Sequence, residues 1–151
     1  LKALAHVKEP NEINFASLTK TSPVLDSQND QMFEEGVRLF KDGNFRDAGS
    51  RFEEVLSKKA DHSASLFLLG YCYYKLDQME KAFALCNRAE SLHPHSFERC
   101  MSLVNMALLT GHFDRAIEEI NALYHQAPDD PEINRMYHAI MRLTHGREVR
   151  L

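Results

Sequence analysis

Eight histidines, three cysteines and three pairs of adjacent glutamates are the side chains here that could do chemistry. None falls into a pattern that catalysis or metal binding needs. No pair of histidines has the helical spacing, with a nearby Glu, that sets two imidazoles around a zinc ion. His93 and His95 flank Pro94 and read as solvated loop residues. Glu34/Glu35, Glu53/Glu54 and Glu118/Glu119 are sequence neighbours. On a helix such neighbours point about 100° apart, so they are surface charge and not an acid–base pair. None of the six glycines belongs to a phosphate-cradling loop. Cys72, Cys86 and Cys100 are spaced by 14, a consequence of successive helices, and read as core thiols. No enzyme activity, metal or cofactor is expected.

Composition narrows the class further. The 151 residues carry a formal charge of -4, with 44% hydrophobic and 26% charged side chains, ordinary for a globular protein. No Lys/Arg cluster stands out, which weighs against nucleic acid or anionic lipid as a partner. No apolar run reaches the ~18 residues of a membrane-spanning helix, so no membrane insertion is expected. Cysteines without an evident disulfide pattern point to a reducing compartment, the cytoplasm. The chain opens on Leu1 and not Met, so a trimmed leader or a module of a longer protein are both compatible with it.

What must position any functional side chain is a repeat. Asn29–His62, Ser63–Ser96 and Phe97–Asp130 align as three 34-residue copies without insertion. The eighth position holds Gly36, Gly70 and Val104; the fifteenth holds Gly43, Asp77 and Gly111; the twentieth is Ala48, Ala82 and Ala116. The seventeenth is Phe45, Met79 and Phe113, and the thirty-second Ala60, Pro94 and Pro128. Each copy predicts two amphipathic helices around a tight turn, with a glycine-compatible turn residue and small residues where the helices approach. Such a unit cannot bury its apolar face alone and needs stacked neighbours.

The expected helices are 30–41, 45–57, 64–76, 79–92, 98–110 and 113–126. Asp129, Asp130 and Pro131 signal a seventh, 131–144, that caps the array. Its outer side carries Arg135, His138 and Arg142, while Ile133, Tyr137, Ile140 and Met141 can face back. Residues 1–28 read as an N-terminal extension and linker, 29–144 as the repeat domain, and 145–151 as a tail. A short helix from Pro10–Glu12 to about Leu18 is expected within the extension. That segment is either a mobile extension or docks Ile13, Phe15 and Leu18 onto the repeats, in cis or on a second copy.

The pattern resembles the tetratricopeptide repeat family over residues 29 to about 144. In the middle copy Leu66, Leu69, Gly70, Tyr73, Ala82, Ala89 and Pro94 stand at signature positions, with Cys86 in place of the usual aromatic. The first copy departs at Glu35 and Ala60, the third at Val104 and Ala107. The resemblance implies an all-α, right-handed α-solenoid of three helix pairs plus a capping helix, with the first helices lining a peptide-binding groove.

On that resemblance the groove row is Phe33, Val37 and Phe40, then Phe67, Tyr71 and Tyr74, then Met101, Asn105 and Leu108. It is rich in aromatic and apolar groups, as interaction sites are. Asn105 is expected to fix a peptide backbone through its amide. Family members that grip a C-terminal carboxylate place donors where this chain has Phe33, Val37, Leu68, Glu98 and Ser102. None donates strongly and Glu98 would repel, so an Hsp90- or Hsp70-type tail is not the expected ligand. The expected function is a non-catalytic adaptor or chaperone holding an extended apolar segment of a partner protein. Small arrays of this architecture and length are similar to type III secretion translocator chaperones. The alternatives are an assembly protein that homodimerises through its N-terminal extension, or a module of a larger protein.

Overall fold

The computed structural model describes residues 12–20, 22–92 and 97–148, the side chains of 97–99 and 145–148 excepted. All regular structure in the described residues is helical: α1 (Phe15–Lys20), α2 (Ser27–Lys41), α3 (Phe45–Lys58), α4 (Ser63–Lys75), α5 (Met79–Leu92), α6 (Phe97–Thr110), α7 (Phe113–Gln126) and α8 (Pro131–Glu148). They fall into two compact units, one with α1–α5 and one with α6–α8. Among the described residues no helix is long and apolar enough to cross a membrane.

Local chemistry sets the helix ends. Asp26 caps α2 by accepting the Asn29 N–H at 2.8 Å, so α2 starts three residues before the expected Asp30. Asn44 caps α3 by accepting from Asp47 N–H and donates from its amide to the Asp47 carboxylate at 2.9 Å. Asp130 accepts from Ile133 N–H at 3.1 Å with Pro131 in the first turn, as expected for α8. That helix continues to Glu148, four residues past its expected end at Thr144.

The turn inside each helix pair is one structure made three times. Asn44 N–H donates to Leu39 O, Gln78 N–H to Tyr73 O and His112 N–H to Ala107 O, closing the last turn of α2, α4 and α6. The residue before each donor is left-handed: Gly43 at φ 83°, Asp77 at φ 61° and Gly111 at φ 83°. Two copies use glycine for this conformation, whereas the middle copy holds a side chain in it.

In the first unit α2 packs on α3, α3 on α4 and α4 on α5. Close approach inside a pair falls at the eighth repeat position. A Cβ on Gly70 would lie 2.7 Å from Cys86 Sγ and 3.2 Å from the Ala82 carbonyl oxygen. A Cβ on Gly36 would lie 2.8 Å from the Phe52 ring. Ala48, Phe52, Val55, Ala82, Cys86 and Ala89 complete these seams, all buried. In the second unit α6 packs on α7 and α7 on α8. Its interior holds Val104, Ala116, Ile120, Leu123, Ile133, Met136 and Ile140. Met136, not singled out in the sequence, is more deeply buried than Tyr137 or Met141, while Arg135, His138 and Arg142 face solvent. Tyr137 instead stacks on Tyr124, ring centroids 4.1 Å apart and 16° from parallel. The three cysteines are buried and form no disulfide, as core thiols should be.

Two substitutions test this account by thermal or denaturant unfolding. Asp77→Gly relieves the left-handed strain and should stabilise by about 0.5–1 kcal/mol. Gly70→Ala should destabilise by roughly 1–3 kcal/mol through overpacking, despite the ~1 kcal/mol that Ala normally gains over Gly within a helix.

Candidate partner-docking face

The face to consider lies on α2 and α4. Residues Phe33, Val37 and Phe40 follow a three-to-four-residue spacing on α2, and Phe67, Tyr71 and Tyr74 do so on α4, so each trio shares one side of its helix. The fold joins the two rows. Phe40 and Tyr71 have ring centroids 5.0 Å apart, and Tyr71 and Tyr74 6.1 Å. Phe45, at the start of α3, sits 5.5 Å from Phe40 and 6.0 Å from Tyr71 and supports the row from behind. Sequence reasoning placed Phe45 in the repeat pattern but not at this site; its spacing from Tyr71 gives no signal.

Burial separates the predicted residues. Phe33, Val37, Phe40, Phe67 and Tyr71 are buried, and Tyr74 is half-exposed. Phe33 is turned toward Phe52 and the His62 ring, with centroids 5.8 and 5.0 Å away, so it serves the interior of the unit. Met101, Asn105 and Leu108, on α6 of the other unit, are buried as well.

Part of what covers the row is the chain's own N-terminal segment. Helix α1 packs on α4, with Leu18 2% and Ile13 6% exposed. Phe15 stands edge-on to Phe40 at 5.9 Å, extending the series of rings by one, and Lys41 Nζ lies 4.9 Å over its centroid. Of the two alternatives in the sequence, mobile extension or docked segment, residues 13–20 follow the second, and in cis. The expected helix start near Pro10 lies outside the described residues; Asn14 caps α1 by accepting from Ser17 N–H at 3.0 Å.

The start of α4 is where segment and repeat meet. Ala64 N–H donates to Ser22 Oγ at 2.9 Å, and Ser22 Oγ lies 3.0 Å from Ser63 Oγ. The next free donor, Ser65 N–H, is taken by His62 Nδ1 at 3.3 Å, with Ser65 Oγ 2.7 Å from the same nitrogen. His62 is 3% exposed. Burial lowers its pKa to about 4, against the opposing pull of Asp61 and Asp30. A neutral ring is what the geometry needs, because Nδ1 faces donors at a helix N-terminus. Neither Ser22 nor His62 carried a sequence signal beyond a polar residue near a helix start.

Residues 33–97 match the model of the tetratricopeptide repeat family. Over that segment the chain is similar to tetratricopeptide repeats. Two solved structures share the fold. The first tetratricopeptide repeat domain of Spaghetti (RPAP3), bound to the HSP90 peptide SRMEEVD, is 17% identical at a TM-score of 0.67, covering 79% of this chain and 95% of that one. The type III secretion translocator chaperone SycD of Yersinia enterocolitica is 12% identical at a TM-score of 0.63, covering 85% and 88%. No curated protein matches the chain. Among the described residues the fold class is all-α, built from helix pairs of the tetratricopeptide type. The α2/α4 row therefore falls on the first helices of the first two helix pairs.

The cap at His62 predicts a pH response. Its folded pKa lies below the unfolded value near 6.5, so the unfolded chain binds the extra proton. The stabilisation is complete above pH 6.5 and is lost as pH falls from there toward 4. Melting temperature measured across that window should drop for wild type. It should drop less for His62→Asn, which can accept from Ser65 N–H without titrating.

Proposed function

We propose that this chain is a non-catalytic protein-interaction module, an adaptor or chaperone, that holds an apolar segment of a partner protein against the α2/α4 face. The observation that carries it is the ring series Phe40–Tyr71–Tyr74 with a peptide segment already lying on its Phe40 end. A short segment with apolar anchors is the kind of object this surface accommodates. The fold neighbours are compatible with it: one is bound to a peptide and the other is a chaperone.

The manner of gripping differs from carboxylate capture. Phe33, Val37 and Leu68 stand where donors to a terminal carboxylate would be needed, and all three are buried apolar groups. Ser102 is half-exposed and uncharged, and the Glu98 side chain lies outside the described residues. Binding here is by aromatic and aliphatic contacts, not by a charge clamp. Met101, Asn105 and Leu108, buried on α6, take no part in the proposal.

A peptide library panned on the protein should enrich segments with aromatic or branched aliphatic anchors. Tyr74→Arg, at the accessible end of the row, should weaken those segments by about ten-fold, the loss of one good apolar contact. Enriched peptides indifferent to Tyr74→Arg would place binding elsewhere.

A further inference from the structure

The geometry points to residues 12–20, with Ser22, as an intrasteric occupant of the α2/α4 face, and to a partner segment that is a short amphipathic helix copying their spacing. This deepens the docking reading above and rests on it. In the bound segment Ile13, Phe15 and Leu18 are the anchors, followed by a hydrogen-bond acceptor in the place of Ser22. The partner docks by displacing the chain's own copy.

Three observations carry this. A six-residue helix does not persist alone in water, so α1 owes its form to the surface beneath it. Its contacts have the anatomy of a docked ligand: two side chains sunk, Ile13 and Leu18, one ring set edge-on against a ring, and the remaining residues of α1 exposed. Ser22 then satisfies Ala64 N–H, the donor in the first turn of α4 that the repeat leaves to an outside group. Any replacement has to supply an acceptor there or leave that donor to water.

The attachment is also built to let go. Between Ser22 and the cap of α2 the chain runs through Pro23, Val24 and Leu25 without regular structure, and Val24 is 94% exposed. Against a competitor with the same anchors, the segment's advantage is the tether, worth an effective concentration on the order of millimolar. A partner presenting the same anchors at micromolar concentration is excluded by that tether unless its contacts are better or the segment is loosened.

The test uses the full chain. A fluorescein-labelled peptide of residues 10–26 is titrated by anisotropy against wild type, Phe15→Ala/Leu18→Ala and Ser22→Ala. The double variant should bind the peptide at least about ten-fold more tightly than wild type, Ser22→Ala by a smaller factor. A peptide carrying the same two alanines should bind none of the three. Hydrogen exchange at the amides of residues 18–22 should quicken in the double variant only near α1 and the start of α4. A double variant that keeps its melting transition but gains no affinity overturns the proposal. So does one that loses its cooperative transition, since the segment would then be core. Library peptides that bind wild type and double variant equally overturn displacement while leaving the docking face standing. Peptides that bind neither would remove the face itself.

Discussion

Helix α4 has no polar side to give to water. From Ser63 to Cys72 every residue is buried, an unbroken run that no single neighbouring helix could cover. The first unit is arranged around that demand, with α3 and α5 on two sides and α1 on a third. Each covering element meets a different requirement. Helix α5 comes close because position 70 has no side chain, α3 is tied in by Phe45 and by the Tyr73–Glu53 hydrogen bond at 2.7 Å, and α1 supplies Leu18 and the Ser22 cap. The same demand explains the site. A helix whose outward side is still apolar after two neighbours have packed recruits a third, and whatever segment plays that part behaves as a ligand.

The helix pairs were legible because their signals are local and repeated. Turn residues at one position, alanine at another and apolar spacing of 3.6 set six of the eight helices to within a few residues, and the Asp-Pro signal set a seventh. The errors were local too. Helix α2 begins early because Asp26 lies outside the repeat frame used to place its start, and α8 runs on past Thr144 because nothing in that stretch breaks a helix. Met136 and Tyr137 are neighbours and both apolar enough to face the interior, so the sequence alone does not say which turns in. Stacking on Tyr124 lets the tyrosine sit at the rim while the methionine fills the interior.

The candidate site was less readable. The groove row names the right positions, but a position cannot say whether a ring is a wall or a foundation. Phe33 turned inward to Phe52 and His62, while Phe40 met Phe15, a ring from the segment upstream of the repeats. That segment is polar on average, and only three of its side chains mark it as able to dock. The chemistry at the start of α4 was invisible for another reason. Ser22 and His62 are polar residues at loop positions, where the ordinary expectation is solvent, and only the third dimension shows them facing unsatisfied N–H groups.

Cys86 sits against the glycine that lets α4 and α5 meet, and burial pushes the thiols of both Cys72 and Cys86 up to about 12. A thiol held that far from its reactive thiolate ignores alkylating reagents and mild oxidants while the helices stay together. Once the seam parts it becomes an ordinary nucleophile, and a group added there could not fit back beneath Gly70. Chemical damage would thus be selective for molecules caught open, turning a brief separation of two helices into a permanent one.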